Sequence, residues 1–173
     1  MDRSKGYVFI SYKSEEVEKA DLLRKVLEEA QYKVWWDRDI QCGEVWNEVL
    51  DEAVRKASCI IVLWSDRAMQ SRWVMHEASS AMDRDIYAPA RIVLCEIEPP
   101  YDRIQATDLI HWDGSAKHPG VQRLLYRINQ LLPPAQSVFE QFIHVIIKNK
   151  ATVLSILFAI LALGILVWQS IAT

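Results

Sequence analysis

The chain has 173 residues, 51 % of them hydrophobic, and a net charge of −3 at pH 7. This length suits one domain with an additional segment. The mildly acidic balance, without a dense stripe of lysine and arginine, argues against nucleic acid as the main partner. The three cysteines, none of them in a C-x-x-C pair, exclude a disulfide framework and are typical of a reducing compartment.

Strand-like and helix-like segments alternate along residues 1–132. Strands are predicted at 7–12, 32–36, 58–64, 91–95 and, more weakly, 109–112, and helices at 16–30, 46–57, around Glu77 and at 120–132. The alternation predicts an α/β fold, a flavodoxin-like five-stranded parallel sheet in the order 2-1-3-4-5 flanked by helices. Ligands of such sheets bind beyond the carboxyl ends of the strands, near strands 1 and 3.

The segment at 71–77 places one carboxylate within an apolar helix stripe. The stripe consists of Trp73, Val74, Glu77, Ala78, Ala81 and Met82. A carboxylate that faces a core or a cleft costs free energy unless it is paired, hydrogen-bonded or solvated. Glu77 is therefore either a structural residue with a partner or a residue that lines a site.

The common catalytic motifs are absent from the sequence. It contains no phosphate-binding glycine loop, no G-x-S-x-G and no His/Cys cluster with metal spacing, so no metal site is expected. His76 points about 100° away from Glu77 on a helix, which argues against a His–Glu pair. The residues near Glu77 are aromatic or carry hydroxyls: Phe9, Ser11, Tyr12, Trp46, Ser71 and Trp73.

A single carboxylate in an aromatic pocket is too little for ordinary glycoside hydrolysis, which needs an acid and a base. It suffices for a glycosidic bond whose leaving group needs no protonation, because the carboxylate then only stabilises an oxocarbenium-like transition state. The nicotinamide of NAD+ is such a leaving group. These residues are consistent with NAD+ as substrate but do not by themselves single it out.

The segment from 151 to 173 contains no charged residue, and its 23 residues predict a transmembrane helix. As a helix they span about 34 Å, and a hydrocarbon core is about 30 Å thick. Lys148 and Lys150 on its amino side predict a single-pass protein of the inner membrane with its folded domain in the cytoplasm. Residues 133–150 are predicted to be a linker and an amphipathic juxtamembrane segment, although an early start of the membrane helix explains them equally well.

Several segments together resemble a bacterial Toll/interleukin-1 receptor (TIR) domain over about residues 6–132. They are the first strand at 8–12, the second strand at 34–37, the loop at 38–45 with its glycine before Trp46, and the third strand at 61–65. Ser71-x-Trp73-x-x-x-Glu77 resembles the S-x-W-x-x-x-E element of TIR enzymes that cleave NAD+. By this resemblance Glu77 is the catalytic glutamate.

Further site residues are expected in the loop after the second strand, called the BB loop in this family. Asp37 and Arg38 are expected to contact ribose or phosphate, although a loop-stabilising ion pair explains them equally well. Ile40 and Gly43 are expected to mediate self-association. Trp46 and Trp73 are expected to cover or line the pocket, and core packing explains both positions as well.

The leading hypothesis is a membrane-anchored NAD+ glycohydrolase that releases nicotinamide and leaves ADP-ribose or a cyclic ADP-ribose. NAD+ is then the substrate, and no cofactor is expected. The resemblance implies activation by self-association through TIR domains, with the membrane helix as a second contact, and a role in bacterial antiviral defence. The sequence leaves open whether a separate protein activates it. The alternatives are a non-catalytic TIR scaffold and a membrane-disrupting effector clustered by its TIR domain.

Overall fold

The computed structural model describes residues 6–36 and 46–132, except for the side chains of residues 46 and 47. Its strands are β1 (Val8–Ser11), β2 (Val34–Trp35), β3 (Cys59–Trp64), β4 (Tyr87–Arg91) and β5 (Thr107–Asp108). Its α-helices are α1 (Val17–Glu29), α2 (Trp46–Lys56), α3 (Asp66–Met69), α4 (Arg72–Asp83) and α5 (Pro119–Leu131). Short 3-10 turns lie at Ser14–Glu16 and Tyr101–Arg103.

The strands of the described residues form one parallel sheet in the order β2-β1-β3-β4-β5, which confirms the predicted fold class and strand order. Strand β1 lies between β2 and β3, with Phe9 opposite Trp35 on one side and Ile60 on the other. Every residue of β1 and β3 is buried, as expected for strands that helices cover on both faces.

Alternate side chains of the sheet contribute to two separate cores. Val8 and Ile10 of β1 face a core that contains residues of α1 and α5. Phe9, the residue between them, faces a second core that contains residues of α2, α3 and α4. This follows from the two-residue period of a strand. Ser11 has the parity of Phe9 and therefore lies on the α4 side of the sheet.

The predicted position of the fourth strand was wrong, because β4 covers 87–91 and not 91–95. Pro89 stands within it, a residue that usually breaks a central strand. Ile60 N donates to Ile86 O at 2.9 Å and Ile92 N donates to Trp64 O at 3.1 Å, so the even-numbered residues bond to β3. Pro89 is odd-numbered, so its nitrogen faces the other neighbour, β5. The pairing with β5 begins only at Ala90, one residue after Pro89, so the missing N–H of Pro89 removes no hydrogen bond between strands.

The fifth strand was also misplaced, since β5 covers 107–108 and not 109–112. Leu109 N still donates to Arg91 O at 2.8 Å, after which the chain turns and Trp112 N donates to Leu109 O. Leu109 and Trp112 are nevertheless buried, at 0 % and 1 % exposure, which explains why this turn has the composition of a strand.

The predicted linker at 133–150 and the predicted membrane helix at 151–173 lie outside the described residues. Within 6–36 and 46–132, no helix is long and apolar enough to span a bilayer. Of the cysteines, Cys59 and Cys95 are free and buried as predicted, whereas Cys42 lies outside the described residues.

Candidate active site

A cavity of about 210 Å³ lies where β1 ends and α4 begins, at the predicted edge of the sheet. Its lining residues are Phe9, Ile10, Ser11, Tyr12, Lys13, Ser14, Leu50, Ser71, Trp73, Val74 and Glu77. The structure thus brings together six residues that the sequence singled out: Phe9, Ser11, Tyr12, Ser71, Trp73 and Glu77.

Helix α4 brings Glu77 to the cavity. Its buried stripe is Val74, Glu77, Ala78 and Ala81, in agreement with the predicted periodicity. Glu77 is only 3 % exposed. Carboxylates are almost never buried to this extent without a specific interaction. Its neighbour His76 is exposed on another face of the helix, as predicted.

Ser71 fixes the start of α4 next to the cavity. Its backbone is extended, and its hydroxyl accepts a hydrogen bond from Val74 N at 3.5 Å, as an N-cap residue does. Trp73 follows in the first turn and packs against the α2–α4 core while lining the cavity. Trp73 is therefore both a wall of the pocket and a residue packed against the core.

Strand β1 supplies the opposite wall through Phe9 and Ser11. The Phe9 ring stacks on the Trp35 ring of β2, with centroids 5.0 Å apart. Ser11 is 1 % exposed, and its Oγ has no hydrogen-bond partner within the part of the chain that the structure describes. A buried hydroxyl without a partner is uncommon in proteins.

Lys13 and Ser14 also line the cavity, although no sequence motif predicted them there. Both directly follow Tyr12 at the carboxyl end of β1, and that position could have indicated them. Lys13 lines the cavity and brings a positive charge to it. Its Nζ also lies 3.6 Å from Glu15 Oε2 in a partly exposed ion pair. The apolar residues Ile10, Leu50 and Val74 were missed as well because their positions indicate core packing equally well.

A second carboxylate, Glu16, lies near the same edge but does not line this cavity. Partial burial raises the pKa of Glu16, and its hydrogen bond with the Ser65 hydroxyl opposes that shift. Among the residues of 6–36 and 46–132, Glu77 is therefore the one carboxylate that lines the cavity.

Several predicted site residues lie outside the described part of the chain: Asp37, Arg38, Ile40, Gly43 and the side chain of Trp46. Their expected contacts with a ligand or with a second copy stay predictions. No group of three or more potential metal ligands occurs among the described residues.

The cavity combines a carboxylate with hydroxyl groups, a lysine and aromatic surface. The carboxylate can accept hydrogen bonds from hydroxyls and stabilise a developing positive charge. The lysine can neutralise an anionic part of a ligand, and the aromatic rings offer surface to a planar group. This arrangement suits a polyhydroxylated ligand that carries both an anionic and an aromatic part.

Comparison with known proteins identifies the fold. The family model described as "TIR domain" matches residues 8–125. The TIR domain of the Toll-related receptor TRR-2 from Hydra magnipapillata is similar in structure, with a TM-score of 0.58 at 23 % identity over 69 % of this chain and 94 % of that one. A metazoan TIR-STING receptor from C. gigas gives 0.55 at 17 % identity over 78 % of this chain and 43 % of that one. No curated protein matches this chain.

Proposed function

This chain belongs to the TIR domain family, and we propose that it is an enzyme that cleaves the nicotinamide–ribose bond of NAD+. The observation that carries this proposal is the Glu77 carboxylate, 3 % exposed, on the wall of a cavity of about 210 Å³ at the ligand-binding edge of the sheet. Its position in the Ser71-x-Trp73-x-x-x-Glu77 element supports the same assignment.

In the proposed reaction, the bond between C1 of the ribose and the pyridinium nitrogen breaks. Both electrons go to the nitrogen, so nicotinamide leaves as a neutral molecule and needs no general acid. Positive charge develops on the ribose ring, and the Glu77 carboxylate stabilises it while it accepts a hydrogen bond from a ribose hydroxyl. Water then attacks C1 and loses a proton, which gives ADP-ribose, or a group on the same molecule attacks and gives a cyclic product.

The other cavity residues have complementary tasks in this proposal. The Lys13 ammonium lies at the cavity and provides positive charge for the pyrophosphate. Phe9 and Trp73 offer aromatic surface for the nicotinamide ring. Ser11 and Ser71 contribute hydroxyl groups, of which Ser71 already serves the start of α4.

We also propose that the domain works in clusters at the cytoplasmic face of the inner membrane. The uncharged segment at 151–173 supports anchoring, and confinement to a plane raises the effective concentration of one domain for another. Activation by self-association would then regulate NAD+ loss, and we propose bacterial antiviral defence as the process that uses it.

The test is product analysis with the full chain reconstituted in lipid vesicles at high surface density. Incubation with NAD+ should release nicotinamide together with ADP-ribose or a cyclic ADP-ribose, and Glu77→Ala should release neither. Asp83→Ala is the matched control, because Asp83 is an exposed carboxylate at the end of the same helix. Equal turnover by the wild type and Glu77→Ala would reject Glu77 as the catalytic residue.

A further inference from the structure

One buried hydroxyl at the cavity belongs to Ser11. Ser11 is 1 % exposed, and its Oγ has no partner among the residues that the structure describes. A buried hydroxyl without a partner destabilises the folded state, because it has lost its bonds to water and gained none. In native proteins such a group is accounted for by a bound ligand, a catalytic role or an ordered water.

A second serine at the same edge of the sheet behaves differently. Ser65 directly follows the neighbouring strand β3 and is 3 % exposed. Its Oγ accepts a hydrogen bond from Ala68 N at 3.0 Å and caps α3. Burial at this edge therefore does not in itself prevent a serine from finding a partner, and the condition of Ser11 is specific to its position.

Ser11 and Glu77 line the same cavity from β1 and α4. Ser11 shares the sheet face of Phe9, which packs in the same core as Val74 and Ala78 of α4. A serine hydroxyl donates and accepts, whereas a carboxylate only accepts. Together they suit a ligand with two adjacent hydroxyl groups, one held by each side chain.

We infer that Ser11 binds one hydroxyl of the nicotinamide ribose while Glu77 binds the other, and that Ser11 determines the preference for ribose over deoxyribose. This inference rests on the proposed NAD+ cleavage. It assigns to Ser11 a specificity role that a packing residue does not have. It also gives a partner in the bound state to a hydroxyl that has none within residues 6–36 and 46–132.

The experiment compares NAD+ with its two analogues that lack the 2′- or the 3′-hydroxyl of the nicotinamide ribose. In Ser11→Ala, kcat/KM for NAD+ should fall about tenfold, the worth of one hydrogen bond. The analogue that lacks the hydroxyl bound by Ser11 should be cleaved equally well by the wild type and the variant. The Tm of Ser11→Ala should equal or exceed that of the wild type. Ser11→Cys, which replaces the hydroxyl by a weakly hydrogen-bonding thiol, should give the same substrate pattern as Ser11→Ala.

Ser65→Ala is the matched control for loss of a buried serine hydroxyl. It should lower Tm and leave the preference for NAD+ over both analogues unchanged. If the wild type cleaves NAD+ and Ser11→Ala keeps the wild-type preference over both analogues, the inference is overturned. If the wild type cleaves none of the three substrates, the proposed function itself fails.

Discussion

Phe9 and Trp35 stack with an angle of 11° between their ring planes and a centroid separation of 5.0 Å. The two residues are partners in the β1–β2 register, and Phe9 also lines the cavity with Glu77. Strand β2 therefore supports one wall of the candidate active site through its pairing with β1 and through this aromatic stack.

Replacing Trp35 should weaken both stability and substrate binding. Trp35→Leu should lower the free energy of unfolding by about 1–2 kcal/mol, because the stacked pair and part of its buried surface are lost. It should also raise KM for NAD+ more than it lowers kcat, since Phe9 loses its support. Denaturant unfolding and steady-state kinetics measure the two effects.

Trp36→Leu is the control for Trp35→Leu. The Arg24 guanidinium lies over the Trp36 ring at 5.0 Å, so this change removes a cation–π contact worth about 0.5–1 kcal/mol and leaves the wall intact. An equal rise of KM in both variants would contradict the role given to the stack.

Lys13 should contribute to substrate affinity through its charge. Lys13→Gln should raise KM for NAD+ with little change in kcat, and the wild-type KM should rise with salt more steeply than that of the variant. Lys25→Gln removes the same charge from α1, where Lys25 pairs with Asp21 and does not line the cavity. Identical salt dependence of all three proteins would show that Lys13 does not contact an anionic part of the substrate.

Arg84 should stabilise the end of α2 without affecting catalysis. Its Nη1 donates to Val54 O at 2.7 Å and its Nη2 donates to Ala57 O at 2.5 Å. Arg84→Met should lower the free energy of unfolding by about 1.5–3 kcal/mol, because charged hydrogen bonds to these carbonyls are lost. Per folded molecule, NAD+ turnover should not change.

The control for Arg84→Met is Arg55→Met, which removes an exposed cation from the last turn of α2. Its effect should be within about 0.5 kcal/mol. Thermal or denaturant unfolding measures the loss of stability in each variant. Equal losses in the two variants would contradict the role given to Arg84.

Cys59 should make the protein less stable at alkaline pH. Burial raises the pKa of the Cys59 thiol to about 12, whereas the pKa of a cysteine thiol in an unfolded chain is about 8.5. Above about pH 8.5 the unfolded chain therefore binds fewer protons than the folded one, and stability falls by about 1.4 kcal/mol per pH unit until the folded pKa is reached. Below about pH 8.5 this group has no effect on stability.

The comparison with Cys59→Ala isolates this effect, since all other titrating groups are common to both proteins. The alanine variant should carry a constant deficit from the lost packing. Between pH 8.5 and pH 10 the wild type should lose about 2 kcal/mol more than the variant. Parallel pH dependence of the two proteins would show that Cys59 is not buried as described.

The strand order could be predicted from the sequence because β1 and β3 are continuous apolar runs and α2 and α4 have clear helical periods. Within α4 the same period identified Glu77 as a charge on the buried face, and the structure buries it. Ser11 could be predicted as a site residue because it ends β1, and ligands of parallel sheets bind beyond the carboxyl ends of the strands.

The two last strands could not be placed from pattern alone. Pro89 made β4 unrecognisable as a strand in the sequence. A strand accepts a proline only where the proline nitrogen faces no hydrogen-bond partner, and this depends on the assembled sheet. The run at 92–95 looked like a strand, yet Leu94 is 82 % exposed. Lys13 was overlooked as a site residue because a lysine in a loop is ordinarily a solvated charge, although its place directly after the carboxyl end of β1 could have indicated it.

In the proposed reaction the Glu77 carboxylate accelerates the departure of nicotinamide. The direct measurement is the rate of nicotinamide release at saturating NAD+ by the wild type and by Glu77→Gln, which keeps the size and polarity of the side chain but not its charge. With equal amounts of folded protein in vesicles of equal density, the rate should fall at least about 100-fold in the variant. Release of nicotinamide at the same rate by both proteins would contradict the account.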